Sequence, residues 1–348
     1  MKNKLILTAV KKLKRWISPT LNLGSKKILV VSSTALGDTL WATPTLFSLR
    51  KSFPEAIIAV LTSPIGEQVL RHNPNIDQIF TLQEPMLPRC FQLWRMLNKE
   101  QFTDIVILHA SQRLMLPLCA LLGAQRIIGT SGINKGLDAL LTDPVPATGD
   151  HEIVRRLKLI EKLGAKTHTE ELSFFLQPEE KISWTKHSLR VAIHPGSKDG
   201  FKRWPAEHFI QVGKELRKQG AEICLTGTVQ EIPLLEQIRD AIPDAVICNP
   251  TWTLRQFAAH LEHCDLLISN DTGPVHLACA LHVPVLAIYS PTNPALCGPH
   301  LAKRALALAK PPTCKPCLKR QCQRPFCLLQ IGPDEVISAA NKMLLNGH

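Results

Sequence analysis

Residues Leu266–Thr292 read LLISNDTGPVHLACALHVPVLAIYSPT, two apolar runs joined through a short polar knot, Ser269 to His276. Each run is short, uninterrupted and bounded by turn residues, the pattern of a strand buried on both faces, and a helical pattern lies between them. Strand, helix and strand in that order make a βαβ unit, so the chain around it builds a parallel sheet. The same alternation runs back through AVICN (Ala245–Asn249), AEICLTG (Ala221–Gly227) and RVAIHPG (Arg190–Gly196). It recurs in the first half, where ILVVSS (Ile28–Ser33), AIIAVLTS (Ala56–Ser63), QIFTL (Gln78–Leu82) and DIVILHA (Asp104–Ala110) are spaced by helical patterns such as TLWATPTLFSLRKSF (Thr39–Phe53).

The pattern lapses between the two series. DPVPAT (Asp143–Thr148) is rich in breakers, Glu152–Leu163 reads as an amphipathic helix, and irregular chain follows as a linker. The expected fold class is therefore α/β with two doubly wound, Rossmann-like domains, residues 26–175 and 176–330. A basic arm, 1–25, precedes them and a helix, 331–348, follows. Ligands of such sheets bind at the carboxyl ends of the strands, so a crevice between the domains is expected to hold them.

Composition narrows the field. At 348 residues, 45% apolar and 20% charged, the chain can bury a core in each of two domains. No apolar run approaches the roughly 20 residues of a membrane-spanning helix. The N-terminus, with basic residues on both sides of a short apolar patch and no small-residue cleavage site, argues against a signal peptide. The eleven cysteines then read mainly as small core residues in a reducing compartment. A net charge of +12 favours anionic partners. Neither G-x-G-x-x-G after a first strand nor G-x-x-x-x-G-K-[ST] occurs, which speaks against a dinucleotide dehydrogenase or a P-loop NTPase.

Three polar knots sit where a strand gives way to a helix, a place where free backbone N–H groups and the helix dipole favour anions. The first is Ser32-Ser33-Thr34-Ala35-Leu36-Gly37-Asp38; its hydroxyls and Gly37 admit a ligand to the backbone, and Asp38 either caps the next helix or projects into the crevice. The second, HPGSKDGFKRWP (His194–Pro205), follows a Pro-Gly turn with Ser197 and the cations Lys198, Lys202 and Arg203. That set suits a polyphosphate or a solvated basic loop. The third is the opening knot, in which Asp271 and Thr272 read as N-caps, Gly273 allows close approach, Pro274 starts the helix, and His276 lies in its first turn.

Taken together, these stretches resemble glycosyltransferase family nine, the ADP-heptose:lipopolysaccharide heptosyltransferases. The resemblance runs from Lys27 to about Asn346 and rests on the G-D pair after the first strand, NPNIDQIF, HPGSKDGFKRWPAEHF, the LTGTVQE turn and ISNDTGPVHLACALHVPVLAIYSPTNP, in that order. It implies a GT-B fold and inverting, metal-independent transfer of heptose from ADP-L-glycero-D-manno-heptose to a hydroxyl of the lipopolysaccharide inner core, of lipid A–Kdo type. The family's catalytic base falls on Asp38. Its donor-binding residues fall on Ser197, Lys202, Glu231, Asp271, Thr272, Gly273 and His276. Ser33, Thr34, Gly37, Lys198 and Arg203 are further candidates for phosphate or acceptor contacts, although Lys198 stands where family members often carry a second hydroxyl. No cofactor is implied. A lipid-borne acceptor implies work at the cytoplasmic face of the inner membrane, where the basic amphipathic LILTAVKKLKRWI could lie on anionic lipid.

Other readings stay open at this level. A nucleotide-sugar epimerase, or a transferase of the same family with another donor or acceptor, would share the pattern. A nucleic-acid-binding role is disfavoured, because the cations are spread along the chain without interleaved aromatics. Cys314, Cys317, Cys322 and Cys327 have metal-like spacing; zinc is one reading, and a metal-free structural cluster is the one adopted.

Overall fold

The computed structural model describes residues 2–15, 24–83, 85–109, 112–183, 188–317, 321–322 and 326–345. Contacts divide the chain into two compact units, Met1–Phe175 and Leu176–His348.

In the first unit the strands are β1 (Lys27–Ser32), β2 (Ile57–Thr62), β3 (Gln78–Thr81), β4 (Asp104–His109), β5 (Arg126–Thr130) and β6 (Asp143–Val145). They form one parallel sheet in the order β3-β2-β1-β4-β5-β6. The second unit repeats the plan with β7 (Arg190–His194), β8 (Glu222–Leu225), β9 (Val246–Ile247), β10 (Leu266–Asn270), β11 (Val285–Tyr289) and β12 (Ala305–Ala309), ordered β12-β11-β10-β7-β8-β9. Both orders are the 3-2-1-4-5-6 arrangement of a Rossmann fold. The strand order reverses between β1 and β4 in one sheet and between β7 and β10 in the other.

Ile28, Leu29, Val30 and Val31 are all fully buried. Successive residues of a strand point to opposite faces, so consecutive burial means that helices cover both faces of the sheet. Burying each such side chain stabilises the fold by about 1.5–3 kcal/mol. The second unit does the same along Val285–Tyr289 and closes its core with Val336 and Ala340 of helix Pro333–Leu345.

The structure departs from the sequence reading in several places. The expected helix Thr39–Phe53 is two helices, Leu36–Leu40 and Thr43–Ser52, because Pro44 has no N–H to continue the first and fits the opening turn of the second. Asp38 therefore lies inside a helix and is not its N-cap; Ala35 holds that position. The breaker-rich DPVPAT contributes β6, where Pro144 is tolerated on a sheet edge.

The basic arm also differs from an element free to lie on lipid by its apolar face. Lys2–Lys14 is a helix that buries Val10 and packs Ile6 and Leu7 against the first unit's core. Residues 16–23 of the arm lie outside the described residues. Cys314, Cys317, Cys322 and Cys327 are free thiols, and among the described residues no group of three or more His, Cys, Asp or Glu is placed to hold a metal ion.

Candidate functional site

In each unit the loops at the reversal point carry the polar knots. In the first unit, β1 ends at Ser32 and β4 at His109, side by side in the ladder. The His109 Nδ1 is 3.1 Å from the Thr34 hydroxyl, and the Ser33 hydroxyl donates to Gln112 Oε1 at 3.0 Å. Asp38 is reached from helix Glu152–Glu161, where Arg156 Nη2 donates to Asp38 Oδ1 at 3.1 Å and sits 3.5 Å from Glu152 Oε2. Gly37 supplies a carbonyl to Trp41 and helps turn the short helix that presents Asp38.

Arg156 is fully buried. Its guanidinium lies 5.1 Å from the centre of the Trp41 ring, and its Nε and Nη1 have no hydrogen-bond partner among the described residues. A charge so placed is stable only beside opposite charge, and the Asp38 carboxylate supplies the nearest. The effect on Asp38 is mutual. Burial would raise its pKa, but the charges of His109 and Arg156 and hydrogen bonds from Thr34 and Arg156 outweigh burial and hold the carboxyl below its ordinary value. His109 moves down as well, chiefly through burial, with Asp38 opposing. The result is a partly exposed carboxylate kept ionised in the short helix after β1.

Neither Arg156 nor His109 stood out in the sequence as a site residue, yet both left a signal. Arg156 shares the buried helix face with Ile153, Leu157 and Ile160, an anomalous place for a cation. His109 is a polar residue closing an otherwise apolar strand.

In the second unit the loops after β7 and β10 are tied to one another. The fully buried Asn270 donates from Nδ2 to the Pro195 carbonyl at 2.8 Å and accepts from the Trp204 N–H at 3.0 Å. Lys202 Nζ meets Asp271 Oδ2 at 2.5 Å, and the Thr292 hydroxyl donates to the same oxygen. Asp271 thus anchors a cation and does not cap the helix. Thr272 takes the N-cap position of helix Gly273–Ala280 but makes no side-chain cap; its hydroxyl turns to Ser269 and to the Asn270 carbonyl. The first-turn N–H groups are left without a side-chain acceptor from the cap, the arrangement that attracts an anion. Gly273 opens that turn, and His276 is buried within it.

The remaining predicted residues divide. Ser197 is buried beside this loop, and Arg203 Nε donates to its carbonyl at 2.7 Å, so Arg203 braces the turn. Lys198 is exposed and is not drawn into the cluster. The Glu231 carboxylate accepts from the Thr228 N–H at 2.8 Å and its hydroxyl at 3.0 Å, and lies so close over Gly196 that a Cβ there would overlap it. A side chain at this glycine of the Pro-Gly turn would push the Glu231 carboxylate from its place. Nearby, the buried His194 contacts Thr226 Oγ1 at 3.1 Å, and Thr226 lines a cavity of about 370 Å³ with Asn249, Trp252, Phe257 and His260. Trp252 and His260 stack with centroids 3.7 Å apart.

Two Rossmann-like units, each with a polar site at its reversal point, make the architecture of the GT-B fold. Residues 90–327 match the model of glycosyltransferase family 9 (heptosyltransferase), and the chain belongs to that family. It is similar to lipooligosaccharide heptosyltransferase 2 of Campylobacter jejuni, 25% identical over 342 residues that span 92% of this chain and 99% of the relative. Among solved structures, a glycosyl transferase family 9 protein from Veillonella parvula superposes with a TM-score of 0.83 at 24% identity, over 94% of this chain and 99% of that one. The E. coli ADP-heptose lps heptosyltransferase II does so with a TM-score of 0.76 at 20% identity, over 92% and 99%.

Proposed function

We propose that this glycosyltransferase moves heptose, with inversion, from ADP-L-glycero-D-manno-heptose to a hydroxyl of the lipopolysaccharide inner core, of lipid A–Kdo type, at the cytoplasmic face of the inner membrane. The observation that carries the reading is the carboxylate of Asp38, in the short helix after β1, held ionised by the neighbouring Arg156 and His109. Inverting transfer needs a base within hydrogen-bond reach of the acceptor hydroxyl, on the face of the sugar opposite the leaving group. Asp38 takes the hydroxyl proton as the oxygen attacks the anomeric carbon and ADP departs. The names of the similar proteins, heptosyltransferases of lipooligosaccharide or lipopolysaccharide, support the donor and acceptor class.

The departing diphosphate gains negative charge. Lys202 and the N-terminus of helix Gly273–Ala280 balance it, so the reading calls on no metal ion. Ser197 after β7 and His276 in the first turn of the helix after β10 complete this donor site, Glu231 packs over Gly196, and the cavity that Trp252, Phe257 and His260 help to line is assigned to the nucleobase.

The deciding assay supplies purified enzyme with ADP-heptose in the presence and absence of a truncated inner-core acceptor. Heptosylated acceptor and stoichiometric ADP are expected only when both substrates are present. Conversion of the sugar nucleotide without acceptor would replace this reading with an epimerase.

Arg156 serves here as a positioning residue. Substituting Arg156→Gln removes a charge that lowers the Asp38 pKa, burial gains weight, and the pKa rises. Because the base works deprotonated, activity is lost as pH falls through that pKa, so the acidic limb of kcat/KM moves to higher pH in the variant. Arg156 touches no donor in this reading, and KM for ADP-heptose stays at the wild-type value. A limb that does not move removes Arg156 from this role.

A further inference from the structure

We propose that the outer surface of the helical layer carrying helices Lys2–Lys14 and Met86–Lys99 is a docking surface for an anionic lipid bilayer. The apolar contact comes mainly from the second helix.

Both helices pack on the same face of the first unit's sheet. Val10 of the first helix and Met86, Leu93 and Leu97 of the second enter one core cluster with Leu29, Val31, Ile105 and Ile107. Helix Met115–Ala120 belongs to that layer too; it contacts the N-terminal helix, and the Leu121 carbonyl just beyond it accepts from Trp94 Nε1 at 2.8 Å. The sides of the two helices turned from this cluster therefore point away from the sheet in the same sense.

What they show to solvent is unusual for a water-facing surface. Leu87 is 73% exposed and Phe91 71% exposed, one turn apart, with the Phe91 ring stacked on Trp94 at 5.8 Å. Leu5 is 68% exposed on the N-terminal helix. On the other flank of helix Met86–Lys99, beside Arg89, lies a separate cavity of about 270 Å³ lined by Phe80, Leu82, Met86 and Met96 with Gln83 and Gln92. A helix that seats one apolar stripe in the core needs no second stripe on its outer side, and exposed aromatic and aliphatic groups together mark a contact site.

Charge selects the occupant. The two helices together carry eight Lys and Arg and no Asp or Glu. Paired against a second copy of itself, this layer would set cation against cation. Anionic headgroups instead meet the cations while Leu87 and Phe91 enter the boundary between headgroup and acyl chain, as an interfacial helix does. Lys11, Lys12, Arg89 and Arg95 are all exposed and able to reach phosphate.

The inference needs neither donor nor acceptor to be correct, and its test uses neither. The full chain is mixed with phosphatidylcholine vesicles with and without phosphatidylglycerol, and the bound fraction is read by flotation. Wild type is expected to float with the anionic vesicles and to be released by raised salt. The double substitution Leu87→Ser/Phe91→Ser should lower the partition coefficient by about tenfold or more at an unchanged melting temperature. Lys11→Glu/Lys12→Glu should lower it specifically on anionic vesicles. Failure of the wild type to bind them, or binding that survives Leu87→Ser/Phe91→Ser, overturns the proposal. So does a concentration-dependent dimer in sedimentation that the double substitution abolishes, since the surface would then belong to a second copy.

Discussion

An Asp38→Asn enzyme is expected to lose transfer by about 10²–10⁴-fold in kcat, the range a positioned general base supplies, while binding ADP-heptose as the wild type does. Asparagine is isosteric and keeps an oxygen to accept from Arg156 Nη2, so the loop after β1 keeps its shape. What disappears is the capacity to take a proton. It also removes the charge nearest to a fully buried guanidinium, leaving Glu152 at 3.5 Å as its acidic neighbour. Breaking a buried ion pair on one side costs about 3–5 kcal/mol, here moderated by Glu152 and by the partial exposure of Asp38. The variant should therefore melt at a lower temperature while remaining folded at assay temperature. Titration calorimetry with ADP-heptose, set beside single-turnover transfer, separates the two effects. Wild-type turnover would remove Asp38 as the base, and a parallel collapse of donor affinity would mean that the substitution acts through folding.

Where the sequence spoke clearly, it did so through burial. β1, β2, β4, β10 and β11 are legible because strands covered on both faces become unbroken apolar runs. β12 is written ALALA, two residue types that favour helices, on a half-exposed edge, and only its partner β11 makes it a strand. β5 is interrupted by Gly129 and β6 by Pro144, so neither presents the pattern of its neighbours. The site divides along the same line. Asp38, Lys202 and Asp271 could be found because polar residues in the short segments that follow buried strands stand out. Arg156 could not be assigned a task, since its partner is 118 residues away and a helix read alone does not say what waits beneath its apolar face. Asp271 was read as a cap from its position before a helix; the competing acceptor preference of Lys202 and Thr292 sends its carboxylate elsewhere. Local pattern located the charged groups, and only tertiary pairing gave them tasks.

The pairing of Lys202 with Asp271 leads to the second large effect. Lys202→Ala is expected to lower kcat by about 10²–10³-fold, the cost of removing one preorganised donor to developing negative charge. Donor binding should also weaken, and by more than the loss of one contact. The Asp271 side chain is only 8% exposed and would keep its charge beside the neutral hydroxyls of Thr292 and Tyr289, with Lys202 gone. Two unit charges about 4 Å apart at an effective dielectric near 20 interact by about 4 kcal/mol, so an uncompensated carboxylate beside the diphosphate repels it strongly. Asp271→Asn should behave differently. It frees Lys202 for the phosphates and holds ADP at least as well, but releases the ammonium from its fixed position and so lowers kcat. If the two substitutions act independently, Lys202→Ala/Asp271→Asn improves on Lys202→Ala only by whatever Asp271→Asn gains on its own, and the coupling energy is zero. Relief of repulsion predicts a larger gain than that, and so a non-zero, favourable coupling energy. Dissociation constants for ADP across the four proteins decide this. An affinity in Lys202→Ala equal to that of the wild type would refute the phosphate role outright, and a double variant weaker than Lys202→Ala would refute the part assigned to Asp271.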